Sequence, residues 1–362
     1  MMRLTVSQTV AQLAGAYTAL IAKGVPLKRF PSVMLWGAPG VGKSQGVRQV
    51  AQKIEKATGK KAVVTDVRLL LFNPVDLRGI PTANADRTLA VWLKPQIFQM
   101  DPSDEVVNLL FLDEISAAPP SVQASAYQIT LDRTVGEHRL PENCLIIAAG
   151  NRVTDRSVAY TMPKALANRL CHIEVIGEAE SWQRWAEGAG IHPTVRSFLL
   201  RYPDRLMRFE SDSDGLAFAT PRSWEMVSNI LNDVSSDVKA VFPLIVGCVG
   251  EVTAYELLEW NRAFDRLPSM NEIFAGCTHQ MPSRPEAVYA LVTQICDYAK
   301  QGVSLAEADN ALRYLENLPR EFRERAYEEL LKIAPIRRSL IRNDMYNLWF
   351  ERSGRDWDDY GL

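Results

Sequence analysis

The chain has 362 residues, and its 47% hydrophobic and 23% charged content is typical of a globular protein with a full core and about two or three domains. Its 41 basic and 43 acidic residues give a net charge of −2, which argues against a chain-wide attraction to nucleic acid or an anionic membrane. The five cysteines are scattered without C-x-x-C spacing, which favours a reducing compartment and argues against structural zinc. Because the sequence shows neither a signal peptide nor an uncharged stretch of about 18 residues, we expect a cytoplasmic protein without a membrane span.

A glycine-rich motif follows the first predicted helix. Apolar residues at helical spacing predict that helix over residues 4–24, and residues 33–36 then predict a buried strand. Residues 37–44 fit G-x-x-x-x-G-K-[ST] at every fixed position, with a strand before them and a helix after them. The alternative is a chance glycine-rich turn, which would need neither flanking element. The sequence therefore predicts a phosphate-binding loop.

The residue types in this loop suit a nucleotide bound with Mg²⁺. Glycines allow a turn tight enough to point successive N–H groups at one anion, and the helix starting near Lys43 adds its positive N-terminal end. The residues expected to bind the nucleotide are Gly37, Ala38, Pro39, Gly40, Val41, Gly42, Lys43 and Ser44. Lys43 would reach the β- and γ-phosphates, and the Ser44 hydroxyl would bind Mg²⁺.

Strands and helices alternate after the loop. Residues 45–56 predict a helix and residues 62–68 a second strand, an order typical of a parallel sheet. Between residues 71 and 98 the pattern becomes irregular and contains too many apolar residues for a solvated linker. We expect an inserted loop and hairpin there, in which Trp92 and Phe98 either pack inside the protein or face a pore that grips substrate.

Two carboxylates end the next predicted strand. The strand covers residues 106–114, and its last residues are Asp113, which would hold Mg²⁺, and Glu114, which would accept a proton from an attacking water. The alternative is a strand that simply exits into an acidic turn. A helix over residues 122–131 and a hairpin around residues 133–138 are predicted to follow.

Two further polar residues flank the last predicted strands. Residues 145–151 predict a buried strand that ends in Asn151, and in a parallel sheet ligands bind at that edge. Asn151 would orient the attacking water, although an asparagine after a strand is commonly a turn residue. A helix over residues 162–170 carries Arg169 into a strand over residues 171–176. By itself, Arg169 is equally consistent with a surface arginine.

In their order and spacing, residues 37–44, 109–114, 165–169 and Asn151 resemble the motifs of the AAA+ ATPases. More narrowly, residues 73–79 and the hairpin after them resemble the insert in the second helix that marks the MoxR-like branch. The resemblance is strong over about residues 30–178. It implies an α/β fold of the P-loop NTPase type, an αβα sandwich with a five-stranded parallel sheet, followed by a small helical lid.

The resemblance also implies an assembly and residue roles. Family members form rings, usually hexamers, with ATP and Mg²⁺ at each subunit boundary. Arg169 would be the arginine finger that enters the neighbouring site, Asn151 the first sensor, and Asp113 with Glu114 the acidic pair. An arginine supplied by a neighbour would neutralise charge on the transferring phosphoryl group and make hydrolysis depend on assembly.

Beyond residue 178 the pattern predicts helices alone, as expected for a lid. Thr220 is positioned to cap a helix whose first turn contains Pro221 and Arg222. A cation at a helix start is unfavourable to the helix dipole, so it suggests an anionic partner, and by resemblance Arg222 is the second sensor that contacts the γ-phosphate. A solvated arginine is the alternative, and the sequence leaves open whether Arg222 acts in its own subunit or a neighbour.

We expect three parts in the chain: a nucleotide-binding core over residues 1–178, a lid over 179–302 and a C-terminal helical extension over 303–362. The extension contains interspersed arginines and glutamates, a mixture typical of solvated helix faces, so nucleic-acid binding is not favoured. The acidic, aromatic segment at residues 356–360 suits either a docking tail or a frayed terminus.

The combined prediction is a Mg²⁺-dependent ATP hydrolase that assembles into a ring and remodels or activates a protein partner. By resemblance, that partner would carry a von Willebrand factor A domain. Two alternatives stay open: a nucleotide-switched protein-binding module with little turnover, and a translocase stimulated by nucleic acid.

Overall fold

The computed structural model describes residues 1–152, 160, 162, 164–208, 216–262, 267–278, 280–282, 285–333 and 336–354. The chain divides into two compact units, residues 1–181 and 182–362. Within the described ranges, no helix is both long enough and apolar enough to cross a membrane. All five cysteines lie in these ranges, and each is a free thiol.

The described strands of the first unit are β1 (Arg3–Thr5), β2 (Val33–Trp36), β3 (Lys61–Arg68), β4 (Ile80–Ala83), β5 (Ala90–Leu93), β6 (Val106–Asp113), β7 (Thr134–Val135), β8 (His138–Arg139), β9 (Cys144–Gly150) and β10 (Cys171–Ile176). Six of them form a parallel sheet in the order β1-β10-β2-β9-β6-β3. The helices of this unit are α1 (Val6–Ala22), α2 (Lys43–Thr58), α3 (Pro74–Arg78), α4 (Pro120–Asp132) and α5 (Lys164–Ala167). The predicted α/β class with a parallel sheet is confirmed.

The sheet has six strands, whereas five were expected, because the chain start forms an edge strand. Residues 3–5, of which the last two were expected to be helical, pair with β10 and form β1. The helix begins only at Val6, where Thr5 caps it: the Gln8 N–H donates to Thr5 Oγ1 at 3.2 Å, and the Thr5 N–H donates to Gln8 Oε1 at 3.0 Å. This reciprocal cap favours extended backbone at Thr5 and therefore separates strand from helix.

The hydrophobic core explains why the central strands are largely apolar. All seven residues of β9 are buried, as are the first seven of β6, because helices cover both faces of a parallel sheet. A core cluster joins these strands to α4 and to Phe98, which is completely buried. Packing is therefore the role of Phe98, and the pore-facing alternative is wrong for this residue.

The insert between β3 and β6 contains more regular structure than expected. A short helix, α3, begins after Asn73, whose side chain caps it in a reciprocal cap with Asp76. Strands β4 and β5 then form the predicted antiparallel hairpin, with Ile80 opposite Leu93. Both of these side chains are exposed, and Trp92 is half-buried.

The second unit is helical in its described part. Its helices are α6 (Ala179–Gly188, which begins at the end of the first unit), α7 (Pro193–Arg201), α8 (Pro221–Asp233), α9 (Phe242–Val249), α10 (Glu251–Arg262), α11 (Met270–Phe274), α12 (Pro285–Lys300), α13 (Leu305–Glu316), α14 (Arg320–Leu331), α15 (Arg337–Leu340) and α16 (Asp344–Arg352). A hydrophobic core cluster joins residues between Ile273 and Phe350. The division of this unit into lid and extension stays a prediction.

The C-terminal helices differ from the sequence pattern in one place. The single helix expected over residues 335–350 is two helices, α15 and α16, because Asn343 starts a new one: its Oδ1 accepts the Tyr346 N–H at 2.7 Å. The mixed charges of this region form exposed pairs along α14, such as Arg320 with Glu324. The segment at residues 356–360 lies outside the described residues.

Candidate nucleotide-binding site

The loop between β2 and α2 has the backbone geometry that the motif predicts. Gly40 and Gly42 have φ values of 74° and 107°, in the left-handed region that favours glycine. Gly37 lies against β10: a Cβ there would be 2.5 Å from the Val175 carbonyl oxygen. Helix α2 starts at Lys43, directly after the loop. The loop therefore lies at the carboxyl edge of the sheet with a helix N-terminus beside it, an arrangement suited to phosphate.

Lys43 and Asn151 meet on one side of this loop. The Lys43 Nζ donates to Asn151 Oδ1 at 2.8 Å, and also to the carbonyl oxygens of Gly37 at 2.7 Å and Ala38 at 3.1 Å. The two residues are 108 positions apart in the chain. They come together because β2 and β9 are adjacent parallel strands whose carboxyl ends share one edge.

The acidic pair lies on the other neighbouring strand end. Asp113, the last residue of β6, accepts the Ser44 hydroxyl at 2.8 Å through Oδ2 and the Glu114 N–H at 2.9 Å through Oδ1. Glu114 has a φ of 58°, which is rare for a residue with a side chain and is frequent at functional sites. With this φ value the chain leaves the direction of β6 at Glu114, the residue directly after Asp113.

The donors present fit Mg²⁺ and a nucleotide phosphate. Ser44 Oγ and Asp113 Oδ2 are oxygen donors in contact, and Mg²⁺ prefers oxygen ligands, with few from the protein and the rest from phosphate and water. The described residues contain no group of three or more histidine, cysteine or acidic side chains that could hold a metal ion. The glycine conformations let backbone N–H groups of the loop donate to the phosphates, and Lys43 provides a positive charge.

Ser116 supports Asn151, a function that the sequence motifs did not indicate. Its buried hydroxyl accepts the Asn151 N–H at 2.9 Å. A Cβ at Gly150 would lie 2.7 Å from the same oxygen, so only glycine allows this close approach. Ser116 thereby links the turn after the acidic pair to the end of β9. A serine two residues after Glu114 has no distinguishing pattern of its own.

A partly buried ion pair involves the residue directly after Asn151. Arg152 Nη1 lies 2.5 Å from Glu174 Oε1, and Arg3 Nε lies 3.2 Å from the same oxygen. Glu174 is only 7% exposed. The pair anchors the end of β9 to β10 and β1. A carboxylate in the middle of the predicted strand β10 is the sequence signal that would have identified it.

Arg169 lies at the opposite edge of the sheet from the loop. It is exposed and follows α5, two residues before Cys171, which pairs with Val33 at the start of β2. The four residues of β2 span about 13 Å, so the structure does not bring Arg169 to the loop of its own chain. Among the described residues of the predicted helix over 162–170, the single turn of α5 is helical, and residues 168–170 form a non-helical turn before β10.

Arg222 lies in the second unit, in the first turn of α8. Thr220 caps this helix as predicted, with its Oγ1 accepting the Ser223 N–H at 3.1 Å and its own N–H donating to Ser223 Oγ at 2.8 Å. Pro221 occupies the first turn, also as predicted. The Arg222 side chain is exposed, and its second-sensor role stays a prediction.

Comparison with known proteins identifies the type of the nucleotide-binding segment. Residues 32–172 match the AAA_3 model, the ATPase family associated with various cellular activities. This segment contains the loop, the acidic pair, Asn151 and Arg169. The segment is therefore of the AAA ATPase type. No match is found among curated proteins.

Three solved structures illustrate the distant likeness of this chain to known proteins. PCH-2 of C. elegans has 16% identity and a TM-score of 0.34, with 70% of this chain and 66% of that chain covered. A RuvB mutant of Thermotoga maritima has 15% identity and a TM-score of 0.39, with 74% of each chain covered. The ORC2 protein of Aeropyrum pernix has 12% identity and a TM-score of 0.40, with 92% of this chain and 87% of that chain covered. At these low scores, none of the three carries an argument about this protein.

Proposed function

From the AAA-type segment, we propose that this protein is a MoxR-like ring ATPase that hydrolyses ATP with Mg²⁺ and uses the energy to remodel or activate a protein partner. One observation carries the proposal: Lys43, Ser44, Asp113, Glu114 and Asn151 converge at one edge of the sheet beside a glycine loop. Those are the groups that phosphoryl transfer to water requires.

Each residue has a distinct task in this proposal. The loop N–H groups and Lys43 bind the β- and γ-phosphates, while Ser44 and Asp113 hold Mg²⁺, which when bound neutralises phosphate charge. Glu114 accepts a proton from the attacking water, and Asn151 orients that water. Ser116 keeps Asn151 in place through the 2.9 Å bond to its N–H.

Arg169 completes the site of a neighbouring subunit. Its exposed position at the edge opposite its own loop supports an action in trans. A ring of about six subunits would place each Arg169 beside the next nucleotide, because head-to-tail contacts close into rings. Arg222 would be the second sensor, and a partner with a von Willebrand factor A domain remains the first candidate for remodelling.

The deciding experiment measures ATP turnover per subunit against protein concentration, with light scattering for mass. Wild type should gain activity cooperatively as it assembles. Arg169→Ala should still assemble and should lose about 10³-fold in turnover, the scale of a missing arginine finger. If a monomer hydrolyses ATP at the full rate and Arg169→Ala changes nothing, the shared-site ring is wrong.

Glu114→Gln separates an enzyme from a nucleotide-switched binding module. The variant should bind ATP as tightly as wild type and lose most turnover, because it keeps the phosphate contacts and loses only the base. A wild type whose turnover is already negligible would support the binding module. Stimulation of turnover by DNA or RNA, with salt-sensitive binding, would support the translocase.

A further inference from the structure

A cleft of about 480 Å³ opens at the amino edge of the sheet in the first unit. Its walls are residues 28–32, which lead into β2, residues 130–133 at the end of α4, and Arg169. The cleft is therefore on the side that the proposed function assigns to the neighbouring subunit.

The cleft is strongly basic. Four of its lining side chains are cationic, Lys28, Arg29, Arg133 and Arg169, against a single acidic one, Asp132. Two of the four are engaged: Lys28 pairs with Glu142, and the Arg133 guanidinium donates to the Cys144 carbonyl oxygen. The side chains of Arg29 and Arg169 are exposed and make no hydrogen bond or ion pair with any described residue.

Backbone hydrogen bonds and ring packing hold the two segments that carry these arginines. The Arg29 N–H donates to the Pro26 carbonyl oxygen at 3.0 Å within a short 3-10 turn. The Phe30 ring packs edge-on against Tyr17 with centroids 5.0 Å apart. Cys171, two residues after Arg169, donates its N–H to the Ser32 carbonyl oxygen at 2.9 Å. Both arginines thus extend into one cleft from hydrogen-bonded backbone, which lowers the part of the entropy cost of anion binding that comes from ordering the chain.

From this arrangement we infer that Arg29 acts together with Arg169 in the neighbouring subunit's site, where both guanidinium groups contact phosphate oxygens of the bound ATP. This inference rests on the proposed ring with Arg169 in trans. Two planar guanidinium groups in one cleft can each donate two parallel hydrogen bonds to the several oxygens of a polyphosphate. A nucleic-acid backbone fits less well, because its binding needs a longer row of unengaged cations than these two.

The first test compares Arg29→Ala with Lys28→Ala at protein concentrations where the ring is assembled. Arg29→Ala should lower kcat by about 10²-fold, the scale for removing one donor to developing phosphate charge, with ADP binding unchanged. Lys28→Ala, which removes a charge already paired with Glu142, should lower kcat by less than about fivefold. Arg29→Lys, which keeps the charge, should recover part of the loss.

The second test mixes subunits. Arg29→Ala subunits keep an intact loop and acidic pair, while Glu114→Gln subunits lack the base but keep both arginines. If Arg29 acts in the neighbour, mixing the two inactive variants should restore turnover, since each Glu114→Gln subunit supplies its arginines to the intact site beside it. The reference arm mixes Arg169→Ala with Glu114→Gln in the same way.

The outcomes separate the two proposals. Recovery in the Arg169 mixture without recovery in the Arg29 mixture would overturn the inference and leave the shared-site ring standing, as Arg29 would then act within its own chain. Full activity of the Arg169→Ala variant alone would remove the ring mechanism itself. Recovery in neither mixture, with both arginine variants inactive alone, would overturn the action of both arginines in the neighbouring subunit. Equal losses for Arg29→Ala and Lys28→Ala would also overturn the inference, because they would indicate a general effect of the turn.

Discussion

At the scale of single residues, Gly37 shows how packing and function constrain one position together. Its N–H donates to the Gly150 carbonyl oxygen at 3.3 Å, and the Val175 carbonyl oxygen occupies the space of any Cβ at 2.5 Å. The loop start is therefore wedged between β9 and β10. A side chain there would have to displace backbone, which a packed sheet resists.

Gly37→Ala should accordingly weaken nucleotide binding at least about tenfold and destabilise the protein by about 1–3 kcal/mol, the usual cost of overpacking. The matched control is Gly15→Ala in α1, where a Cβ meets nothing within 4 Å. That change should stabilise the protein by up to about 1 kcal/mol, because alanine favours a helix over glycine. Calorimetric titration with ADP measures the nucleotide affinity of each variant, and urea unfolding measures its stability. An unchanged ADP affinity in Gly37→Ala would contradict the close packing of the loop.

At the scale of elements, the start of α7 depends on a neutral histidine. His192 Nδ1 accepts the Thr194 N–H at 3.2 Å as the helix cap, and the His192 N–H donates to the buried Ser228 Oγ at 2.8 Å. Burial lowers the pKa of His192 from its ordinary value of 6.5. A protonated ring would lose the accepting nitrogen, so the cap requires the neutral form.

This cap predicts a pH dependence of stability. Because the pKa of His192 is below 6.5 in the folded protein, the unfolded chain takes up the proton first as the pH falls. The stabilisation that the neutral His192 provides is therefore present above pH 6.5 and is lost as the pH falls below it. His192→Asn keeps a good cap without titrating. Urea unfolding between pH 7.5 and 5, a range that includes the ordinary histidine pKa, measures the free energy of unfolding at each pH. We expect this free energy to fall less with decreasing pH in the variant than in wild type. Parallel profiles for the two proteins would show that His192 does not contribute.

At the scale of the whole molecule, each compact unit contains a hydrophobic core cluster of its own. One cluster lies in the first unit between Met34 and Leu170, and another lies in the second unit between Ile273 and Phe350. The loop, the acidic pair and Asn151 all belong to the first unit. Units with separate cores open in separate steps unless their interface is large.

Binding of ADP with Mg²⁺ should therefore stabilise the two units unequally. At a ligand concentration of about 100 times Kd, the free energy of unfolding of the first unit should rise by about 2.7 kcal/mol, because only the folded form of this unit has the phosphate loop. Hydrogen exchange at increasing urea concentration measures the stabilisation of each unit. Peptides from β2, β6 and β9 report on the first unit, and peptides from α12 to α14 report on the second. Lys43→Ala should abolish the gain. An equal gain in both sets of peptides would show that the chain unfolds as one cooperative unit.

Much of the first unit was predictable because its signals are local. Glycine spacing and apolar strands act within a few positions, so the loop and the strand of residues 171–176 agree with the structure. The same holds in the second unit for the cap at Thr220, because a cap also acts within a few positions. The edge strand β1 was missed because its pairing with β10 outweighs a helical pattern that extends over the same residues.

By itself, the sequence determined which residue types line the site, since a motif of fixed spacing specifies a turn and its charges. Only the tertiary structure decided which of them meet. Ser44 and Asp113 are 69 positions apart, and Lys43 and Asn151 are 108 apart, yet both pairs are within hydrogen-bond distance. Strand order brings them together, and it also places Arg29 beside Arg169 on the opposite edge. The physical reason is that strand pairing and burial depend on contacts across the whole sheet, which no local window of residues contains.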